Sequence, residues 1–451
     1  MKWLALVALA LFACGSGSPP ADSGPRDAQT LDASPRDAGV DAPSAPDASE
    51  EEDAAIEPPR DGGVDAEIDP GPPVHERPQS HTQSLLFDPA RDRGDTIGYH
   101  SFRIPAIARV GHTLLAFAEG RACSADDYGN INLVMKRSRD DGRTWGPLEE
   151  VEGRGPGTWG NPTPVVDAST GRVFLFLSFN AEDVSQFGRE NPCTGETTRV
   201  IADGERRVYL TTSDDEGDSW TTPTDLTDTL QIPGTAWDAM GPGIGIQTTI
   251  ADEGRLIVPA SQRNLYSDDH GATWRYQRIP SGTSEGTIAE LSDGTLLRND
   301  RAVPRLWEMA ARRWLSRGTI DPASGTTTQF ETFAPHDTLL DPRAQGSSLV
   351  YTTSPHRLLF LNASSSELRC RMRVRISYDD GRAWPIDRRL HDDVPSDETC
   401  TRRLGGYSSM IKTGDYHVAA LVERGADAGG HRSIELHRFN LPWVLNGTPE
   451  P

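Results

Sequence analysis

The chain has 451 residues and a formal net charge of −22 at neutral pH, with 43 glycines, 34 prolines and five cysteines. This length would allow two or three average domains, although one all-β propeller can also reach it. The sequence has neither a basic stripe nor a recognised nucleic-acid-binding motif, so it gives no support for a function on DNA or RNA.

The first thirteen residues form a short apolar segment. Lys2 precedes an apolar run that ends at Leu11-Phe12-Ala13-Cys14. Such a run is too short to span a bilayer and is typical of a secretory signal. The Leu-x-Ala-Cys ending resembles a bacterial lipoprotein box, so residues 1–13 are predicted to be removed and Cys14 to carry a lipid. The alternative is an ordinary signal peptide that is cleaved nearby.

Residues 14–81 differ in composition from the rest of the chain and are rich in Asp, Ala, Pro, Gly and Ser. Between residues 15 and 80 there are ten Asp and six Glu against four Arg, which supplies −12 of the net charge of −22. A segment with so few apolar residues cannot bury a core. We therefore predict a disordered stalk, followed by a mildly acidic domain over residues 82–448.

From residue 82 onward, short β-type runs follow one another, and most are separated by Gly, Asp-Gly or Pro turns. The clearest runs cover residues 106–110, 113–119, 173–179, 207–212, 243–250, 255–260, 287–291, 348–353, 357–362, 371–377 and 417–423. Residues 306–315 could instead be helical. The Arg312-Arg313-Trp314 sequence within them favours a strand. The pattern indicates an all-β fold.

An octet with the spacing Ser-x-Asp-x-Gly-x-x-Trp occurs four times. The copies lie at residues 138–145, 213–220, 267–274 and 377–384, and the seventh position is Thr, Ser, Thr and Ala in turn. A turn repeated among many short strands indicates an array of β units, as in a propeller. Residues 306–315 would then belong to a unit whose octet has decayed.

Four cysteines remain after Cys14. An even number in an exported chain permits two disulfides with three possible pairings. The order of units in a propeller favours Cys123 with Cys193 and Cys370 with Cys400. The sequence contains no CxxC motif and no ligand spacing among its eleven histidines. Neither a metal site nor a cofactor is predicted.

Phe102-Arg103-Ile104-Pro105, followed by the first octet, resembles the first active-site motif of the sialidases, and the octets resemble their Asp boxes, or BNR repeats. The resemblance continues to Glu423 and covers nearly all of the chain after the first eighty residues. It implies a six-bladed β-propeller. It also implies a bacterial exo-α-sialidase that removes terminal sialic acids from glycoproteins, glycolipids or oligosaccharides with retention of configuration. The blade number comes from the resemblance and not from the repeat spacing.

Sialic acid carries a carboxylate on its anomeric carbon, so a sialidase must hold an anion during catalysis. Guanidinium groups stay charged and grip carboxylates with two hydrogen bonds. The resemblance implies that Arg103, Arg301 and Arg369 converge on this carboxylate. Every second residue from Arg369 to Arg375 is an arginine and is predicted to share one strand face, so Arg371 is the reserve candidate.

An anionic nucleophile would be repelled by the carboxylate of the substrate, and the sialidases use a tyrosine instead. The resemblance implies that Tyr407 is the nucleophile and that Glu285 is its general base. Asp127 would protonate the leaving oxygen and later activate water. Asp126 is the less favoured candidate, because the spacing from Arg121 fits Asp127 better.

Two further residues take roles from the resemblance, and two other motifs are rejected. Arg121 resembles the auxiliary arginine beside the acid, and Glu423 resembles the acid that braces Arg103. Residues 282–286 match G-x-S-x-G but lie between β runs, whereas a nucleophile elbow leads into a helix. The glycine-rich residues 241–245 contain a proline and precede a strand, which argues against a phosphate cradle.

Two alternative functions remain open on the sequence. A trans-sialidase would share all of these residues and would differ in how it binds an acceptor. A non-catalytic sialoglycan-binding propeller would need the arginines but would have no use for all of Asp127, Glu285 and Tyr407. The favoured prediction is a monomeric hydrolase, tethered by its lipid and stalk to a bacterial cell envelope.

Overall fold

The computed structural model describes residues 77–94, 98–153, 155–391, 400, 403–425 and 431–451. These residues belong to one compact unit that spans Asp69–Pro451. The predicted signal segment, the lipidation site Cys14 and the stalk as far as residue 76 lie outside the described residues. In the described part of the chain, no helix is both long enough and apolar enough to cross a bilayer.

The described residues are mainly β-strands, which confirms the predicted all-β class. The first strands are β1 (His81–Phe87), β2 (Ser101–Val110), β3 (Thr113–Arg121), β4 (Ile131–Ser138), β5 (Glu149–Glu152), β6 (Thr158–Val166), β7 (Val173–Asn180), β8 (Val184–Ser185) and β9 (Arg199–Val200). The next are β10 (Arg207–Ser213), β11 (Thr224–Asp225), β12 (Ile246–Gln247), β13 (Leu256–Ala260), β14 (Arg263–Ser267), β15 (Arg275–Arg278), β16 (Thr283–Glu290), β17 (Leu296–Ala302), β18 (Arg312–Gly318) and β19 (Ala334–Leu340).

The remaining strands are β20 (Ser347–Thr353), β21 (His356–Ala363), β22 (Met372–Ser377), β23 (Ile386–Arg389), β24 (Ser408–Lys412), β25 (His417–Gly425) and β26 (His431–Asn440). The helical segments are α1 (Thr227–Leu230), α2 (Pro304–Met309), a 3-10 turn at Pro322–Ser324, and α3 (Leu441–Leu445).

The strands assemble into four-stranded antiparallel units that follow one another along the chain. One eight-stranded sheet contains two units, β2-β3-β4-β5 and β6-β7-β10-β11, which are joined by a single parallel contact between Ile131 and Thr158. Three separate sheets follow, formed by β12 to β15, β16 to β19 and β20 to β23. In the last unit, β24, β25 and β26 are completed by the N-terminal strand β1.

The apolar core lies between successive units. Strand β3 is buried along its whole length, as expected of an apolar run that is covered on both faces. Six apolar clusters each combine residues of two units, and one of them joins the last unit to the first. Members that share a cluster include Leu133 with Leu175, Phe176 with Leu256, Tyr266 with Ile288, Leu297 with Phe360, Val374 with Val422, and Phe102 with Leu421.

A cavity of about 550 Å³ lies where the ends of the first strands of all the units meet. Its lining includes Val110, Val166, Gln247, Glu290, Val350 and Lys412. Each of these residues comes from a different unit, so the first strands surround a common axis.

The four octets adopt one repeated turn. In the first, Ser138 Oγ donates to Asp140 and accepts from the Gly142 backbone, while the Thr144 backbone and hydroxyl donate to the two oxygens of Asp140, all at 2.7–2.8 Å. Trp145 then packs against the apolar cluster shared with the preceding unit. Through its tryptophan, the turn thus connects its own unit to the neighbouring unit.

Two predicted segments differ from the observed structure. Residues 306–315 were expected to be a strand, but α2 covers Pro304–Met309 and β18 begins at Arg312. Proline at the start of α2 presets a helical φ and needs no hydrogen-bond partner there. The strand predicted over residues 243–250 is limited to Ile246–Gln247. Gly243 has a φ of 132° that departs from extended backbone, and beyond the strand the backbone N–H groups of residues 249–251 donate to the Glu290 carboxylate.

Candidate active site

The predicted site residues meet on the side of the units where the first strands begin. Arg103 lies near the start of β2, Glu285 near the start of β16, and Tyr407 directly before β24. Because paired strands run antiparallel, the second strands end on this same side, where they carry Arg121 and Arg301. The opposite ends of the first strands line the central cavity.

The first strands are irregular at the positions that carry site residues. Strand β2 is bulged between Arg103 and Ala106, and Ile104 adopts a φ of 56°. Strand β16 has a register shift around Glu285. A bulge re-aims the side chains beside it, and a β-branched residue at positive φ persists only where the surrounding structure imposes it. These distortions direct Arg103 and Glu285 toward the site.

Glu423 links two parts of the site from a fully buried position. Its Oε1 accepts hydrogen bonds from Nε of Arg103 at 3.1 Å and from the backbone of Ile104 at 3.0 Å. Its Oε2 accepts from the backbone of Tyr407 at 3.0 Å. A buried carboxylate needs such partners to remain ionised. The structure therefore places Glu423 against Arg103, where the resemblance implies a bracing acid.

Asp127 lies beside two arginines. Its Oδ1 is 3.1 Å from Nη1 of Arg103 and 2.9 Å from Nη2 of Arg121, and its side chain is 62% exposed. Desolvation by the surrounding protein raises the pKa of Asp127, but the guanidinium groups of Arg121 and Arg103 outweigh it and hold the pKa well below its usual range. Asp126 instead bonds Ser124, so Asp127 is the member of the pair that joins the cluster.

Glu119, which was not predicted, fixes Arg121 in place. Its Oε2 lies 2.5 Å from Nη2 and 3.0 Å from Nε of Arg121. Its Oε1 accepts from the backbone of Asn161 at 2.8 Å. Residues two apart on a strand share a face, which is the sequence signal that could have identified it.

Tyr407 forms a hydrogen-bonded group with Glu285 and Arg301. Its hydroxyl donates a short hydrogen bond to Oε2 of Glu285 and accepts one of 2.7 Å from Nη1 of Arg301. Nε of Arg301 lies 2.9 Å from the same Glu285 oxygen. Burial raises the pKa of Tyr407; Arg301 opposes this increase and Glu285 adds to it. Proton transfer from the phenol to Glu285 therefore has a short, preformed path.

The three predicted clamp arginines surround one aromatic ring. The guanidinium carbons of Arg103, Arg301 and Arg369 lie 5.6, 5.8 and 4.9 Å from the centre of the Tyr407 ring. The backbone carbonyl of Arg343 accepts hydrogen bonds from Arg301 at 3.2 Å and from Arg369 at 3.0 Å. No side-chain pattern marks a backbone carbonyl, so sequence reasoning had no signal for this contact.

The predicted strand face from Arg369 to Arg375 is wrong. Strand β22 begins at Met372, and Arg371 has a φ of 54°. That left-handed residue interrupts the extended period, so Arg369 lies in the preceding turn and shares no strand face with Arg373. Arg369, and not the reserve candidate Arg371, forms the contact with Tyr407.

Both predicted disulfides are present, joining Cys123 to Cys193 and Cys370 to Cys400. The first connects the loop before Asp127 to the insertion that carries β8 and β9. The second adjoins Arg369. Each disulfide therefore fixes a segment next to a candidate site residue.

The two rejected motifs have structural roles. Thr283 opens β16, so the G-x-S-x-G segment enters a strand and not a helix. In the glycine-rich segment, the backbone N–H groups of Gly241 and Gly245 donate to Pro259 and Pro164 at 2.8 Å. Donors that are already bonded within the protein are not available to hold a phosphate.

The assembled site combines three kinds of group. Three guanidinium groups can bind an anion, a tyrosine and a glutamate can together supply an oxygen nucleophile, and an exposed aspartate can transfer a proton. Such a combination suits the cleavage of a bond at a carbon that bears a carboxylate.

Comparison with known proteins supports this conclusion. The model of the BNR repeat-like domain family matches residues 112–418. The chain is 43% identical over 399 residues to the exo-alpha-sialidase of Arthroderma benhamiae, covering 83% of this chain and 93% of that protein. It is 44% identical over 372 residues to the exo-alpha-sialidase of Aspergillus fumigatus, covering 78% and 86%.

The chain belongs to the exo-α-sialidase family, a family of glycoside hydrolases. Its fold is shared with the intramolecular trans-sialidase of Ruminococcus gnavus, with a TM-score of 0.63 and 18% identity, covering 82% of this chain and 99% of that chain. The predicted sialidase membership is thus confirmed. The relatives are fungal as well as bacterial, so they do not decide the predicted bacterial origin.

Proposed function

We propose that the protein is a retaining exo-α-sialidase that cleaves terminal sialic acids through a covalent Tyr407 intermediate. The observation that carries the proposal is the hydrogen-bonded contact of the Tyr407 hydroxyl with both Glu285 and Arg301, beside three converging arginines. A glycan-binding protein would need the arginines alone. The substrates are sialylated glycoproteins, glycolipids or oligosaccharides.

The substrate carboxylate would bind to Arg103, Arg301 and Arg369. Arg301 is held by Glu285, and Arg301 and Arg369 both donate to the Arg343 carbonyl, so the clamp is positioned before substrate arrives. Preorganised donors lose little freedom on binding, which favours affinity. Arg121 would remain with Glu119 and Asp127 beside the leaving group.

In the first displacement, the Tyr407 oxygen attacks the anomeric carbon while Glu285 takes the phenolic proton. The bond to the leaving oxygen breaks, and that oxygen receives its proton from Asp127. In the second displacement, ionised Asp127 takes a proton from water, and the water oxygen attacks the anomeric carbon. The bond to Tyr407 then breaks, and the phenolate recovers its proton from Glu285. Two inversions retain the configuration.

Asp127 must be protonated to act as the acid, although Arg103 and Arg121 favour its ionised form in the free enzyme. Substrate binding would reverse this balance. The carboxylate of the sialoside neutralises part of the charge on Arg103, and the sugar displaces water from the exposed face of Asp127. Both changes raise the pKa of a carboxyl group.

The stereochemical course tests the mechanism. Proton NMR should detect the α-anomer of sialic acid before any β-anomer accumulates. A 2,3-difluoro sialic acid should also label Tyr407, as peptide mass spectrometry can show. The β-anomer formed first, or a label on another residue, would exclude the proposed double displacement.

We also propose that the four-stranded units form a six-bladed propeller. The cyclic set of six inter-unit clusters and the common cavity at the ends of the first strands support this arrangement. A crystal structure with a different number of units around the axis would contradict it.

Our proposal for the location of the enzyme rests on the N-terminal sequence alone. We propose a monomeric lipoprotein, anchored through Cys14 and displayed on a stalk of residues 14–81 at a bacterial cell envelope. Cys14→Ala should move the protein from the detergent phase to the aqueous phase of a Triton X-114 partition. Equal partitioning of the variant and the parent chain would reject the anchor.

A further inference from the structure

A second cluster of titratable side chains lies on the last unit. Glu435 and His437 are two residues apart on β26 and share a face. His391, which follows β23, reaches them from the preceding unit. Its Nε2 lies 2.6 Å from Oε2 of Glu435 and 3.1 Å from Nε2 of His437. The Glu435 Oε2 and the His437 Nε2 are 3.5 Å apart.

These three atoms are spaced as ligands of one metal ion would be. With metal–ligand distances of roughly 2.0–2.1 Å, the ligand atoms of a tetrahedral zinc ion are about 3.3 Å apart. Two of the observed separations lie within a few tenths of that value, and the shortest needs to open by less than an ångström. Two histidines with one glutamate are also an established zinc ligand set, which leaves a fourth position for water.

The histidines are held in a form suited to metal binding. His437 is fully buried, and its Nδ1 lies 3.0 Å from Nε2 of His81 on β1. When Nδ1 donates to His81, the lone pair of His437 Nε2 points at His391 and Glu435. A metal-bound histidine commonly has such a partner on its other nitrogen.

The types of ligand atom in the cluster narrow the choice of metal ion. Glu435 is the single carboxylate of the cluster, and Nε of Arg424 lies 3.6 Å from its Oε1. One carboxylate beside two imidazoles does not suit calcium, which takes six to eight oxygen ligands. Imidazole nitrogen suits zinc. His391 also lines an open surface cavity of about 710 Å³, which gives an ion and a water ligand access.

We propose that His391, Glu435 and His437 form a zinc-binding site. The ion would tie the end of β23 to β26 and, through His81, would hold β1 against its partner strand. Its role is stability, because none of its ligands belongs to the candidate active site. The sequence shows no metal-ligand spacing here because His391 lies far along the chain from Glu435 and His437. Only the fold brings the three residues together.

The full-length chain, treated with EDTA and then freed of it, can be titrated with zinc chloride by isothermal titration calorimetry. We expect one saturable site per chain and a melting temperature that rises with zinc concentration. His391→Ala and Glu435→Gln should each weaken zinc binding by at least about tenfold. His81→Phe should weaken it by about 10–100-fold, the usual effect of removing a ligand's hydrogen-bond partner.

His112→Ala is the matched control. This exposed histidine pairs with Asp141, and both residues lie on the first unit, away from the cluster. It should leave zinc affinity unchanged. Absent binding at micromolar zinc, or binding that His391→Ala and Glu435→Gln leave intact, would overturn the proposal.

A second measurement avoids dependence on variants that fail to fold. Cobalt added to the unaltered chain should give the visible bands of tetrahedral coordination, and zinc should abolish them. Octahedral spectra, or no bands at saturating cobalt, would equally overturn the site.

Discussion

At the scale of single residues, the hydroxyl of Tyr407 carries the sharpest prediction. Tyr407→Phe removes the nucleophilic oxygen but leaves Glu285 and Arg301 paired at 2.9 Å, so no buried charge loses all its partners. We expect kcat to fall by about 10³-fold or more while the melting temperature changes little. Steady-state kinetics and calorimetry check this, and binding of a sialic acid analogue should persist. Turnover within tenfold of the parent enzyme would contradict the assignment.

The depressed pKa of Asp127 predicts a pH effect that depends on the leaving group. The ionised form predominates in the free enzyme, so a proton must be taken up before a poor leaving group departs. For alkyl sialosides, kcat/KM should therefore fall as pH rises from about 4 to about 7. Aryl sialosides with acidic phenols need less protonation and should show a weaker dependence.

Asp127→Ala tests the same residue without changing pH. We expect a loss of about 10²–10⁴-fold on alkyl sialosides and a much smaller loss on activated aryl sialosides. Equal losses on both substrate classes would mean that Asp127 acts in binding and not as the acid.

The residues recognised from the sequence were those that stand in motifs. Arg103 and Tyr407 could be found because neighbouring residues identify them. The Arg343 carbonyl could not, because its role depends on turns that place distant segments together. Glu119 was missed although it stands two residues before Arg121 on the same strand. Arg369 shows the intermediate case: its position was predicted, but the left-handed Arg371 changed the geometry around it.

At the scale of elements, the octet turns predict a stability effect without a catalytic one. Asp215 accepts hydrogen bonds from Ser213 Oγ and from the backbone and hydroxyl of Ser219. Asp215→Ala removes them and should lower Tm by about 2–4 °C, the shift that roughly 1 kcal/mol gives in a large domain. Differential scanning calorimetry measures this, and kcat should stay near the parent value. A large loss of kcat at unchanged Tm would contradict a structural role.

The fourth octet allows the opposite test, in which a substitution adds a hydrogen bond. Ala383 donates only its backbone N–H to Asp379, at 2.8 Å, and lacks the hydroxyl found in the other copies. Ala383→Thr should restore that hydrogen bond and raise Tm slightly.

The same turns predict that the stability of the protein depends on pH in the acidic range. Hydrogen bonds, led by that from the Ser219 hydroxyl, lower the pKa of Asp215 to about 2. An unfolded aspartate titrates near 3.9, so this stabilisation is complete above about pH 5 and is lost as pH falls toward 2. The Tm difference between the parent and Asp215→Ala should therefore shrink over that interval. A constant difference would show that ionisation of Asp215 contributes nothing.

Element prediction succeeded where periodicity was strong, as in β3 and β25. It failed over residues 243–250, because a glycine at positive φ stands at the start of the run and Glu290 binds the backbone at its end. It was half right over residues 306–315, because Pro304 starts a short helix before the strand begins. A glycine and a carboxylate decided the first outcome, and a proline decided the second.

At the scale of the whole molecule, the N-terminal boundary can be tested by truncation. The predicted limits of 82 and 448 fall inside the observed contacts, since Ser80 bonds Asn440 and Arg357 pairs with Glu450 at 2.6 Å. A protein that begins at Arg77 should fold and keep its turnover on small sialosides. One that begins at Asp88 lacks β1, exposes the edge of β26 and should aggregate. Circular dichroism and light scattering distinguish the two, and equal behaviour would show that β1 is dispensable.

The pairing of β1 with β26 sets a limit on when the chain can finish folding. Residue 81 leaves the ribosome well before its partner Phe439 is made. At roughly 5–20 residues per second, the N-terminal strand waits about 20 seconds or longer for the strand that it must join. Until then the last unit is incomplete, and the cluster that joins it to the first unit cannot form. The polypeptide therefore stays without its final tertiary structure until β26 has been made.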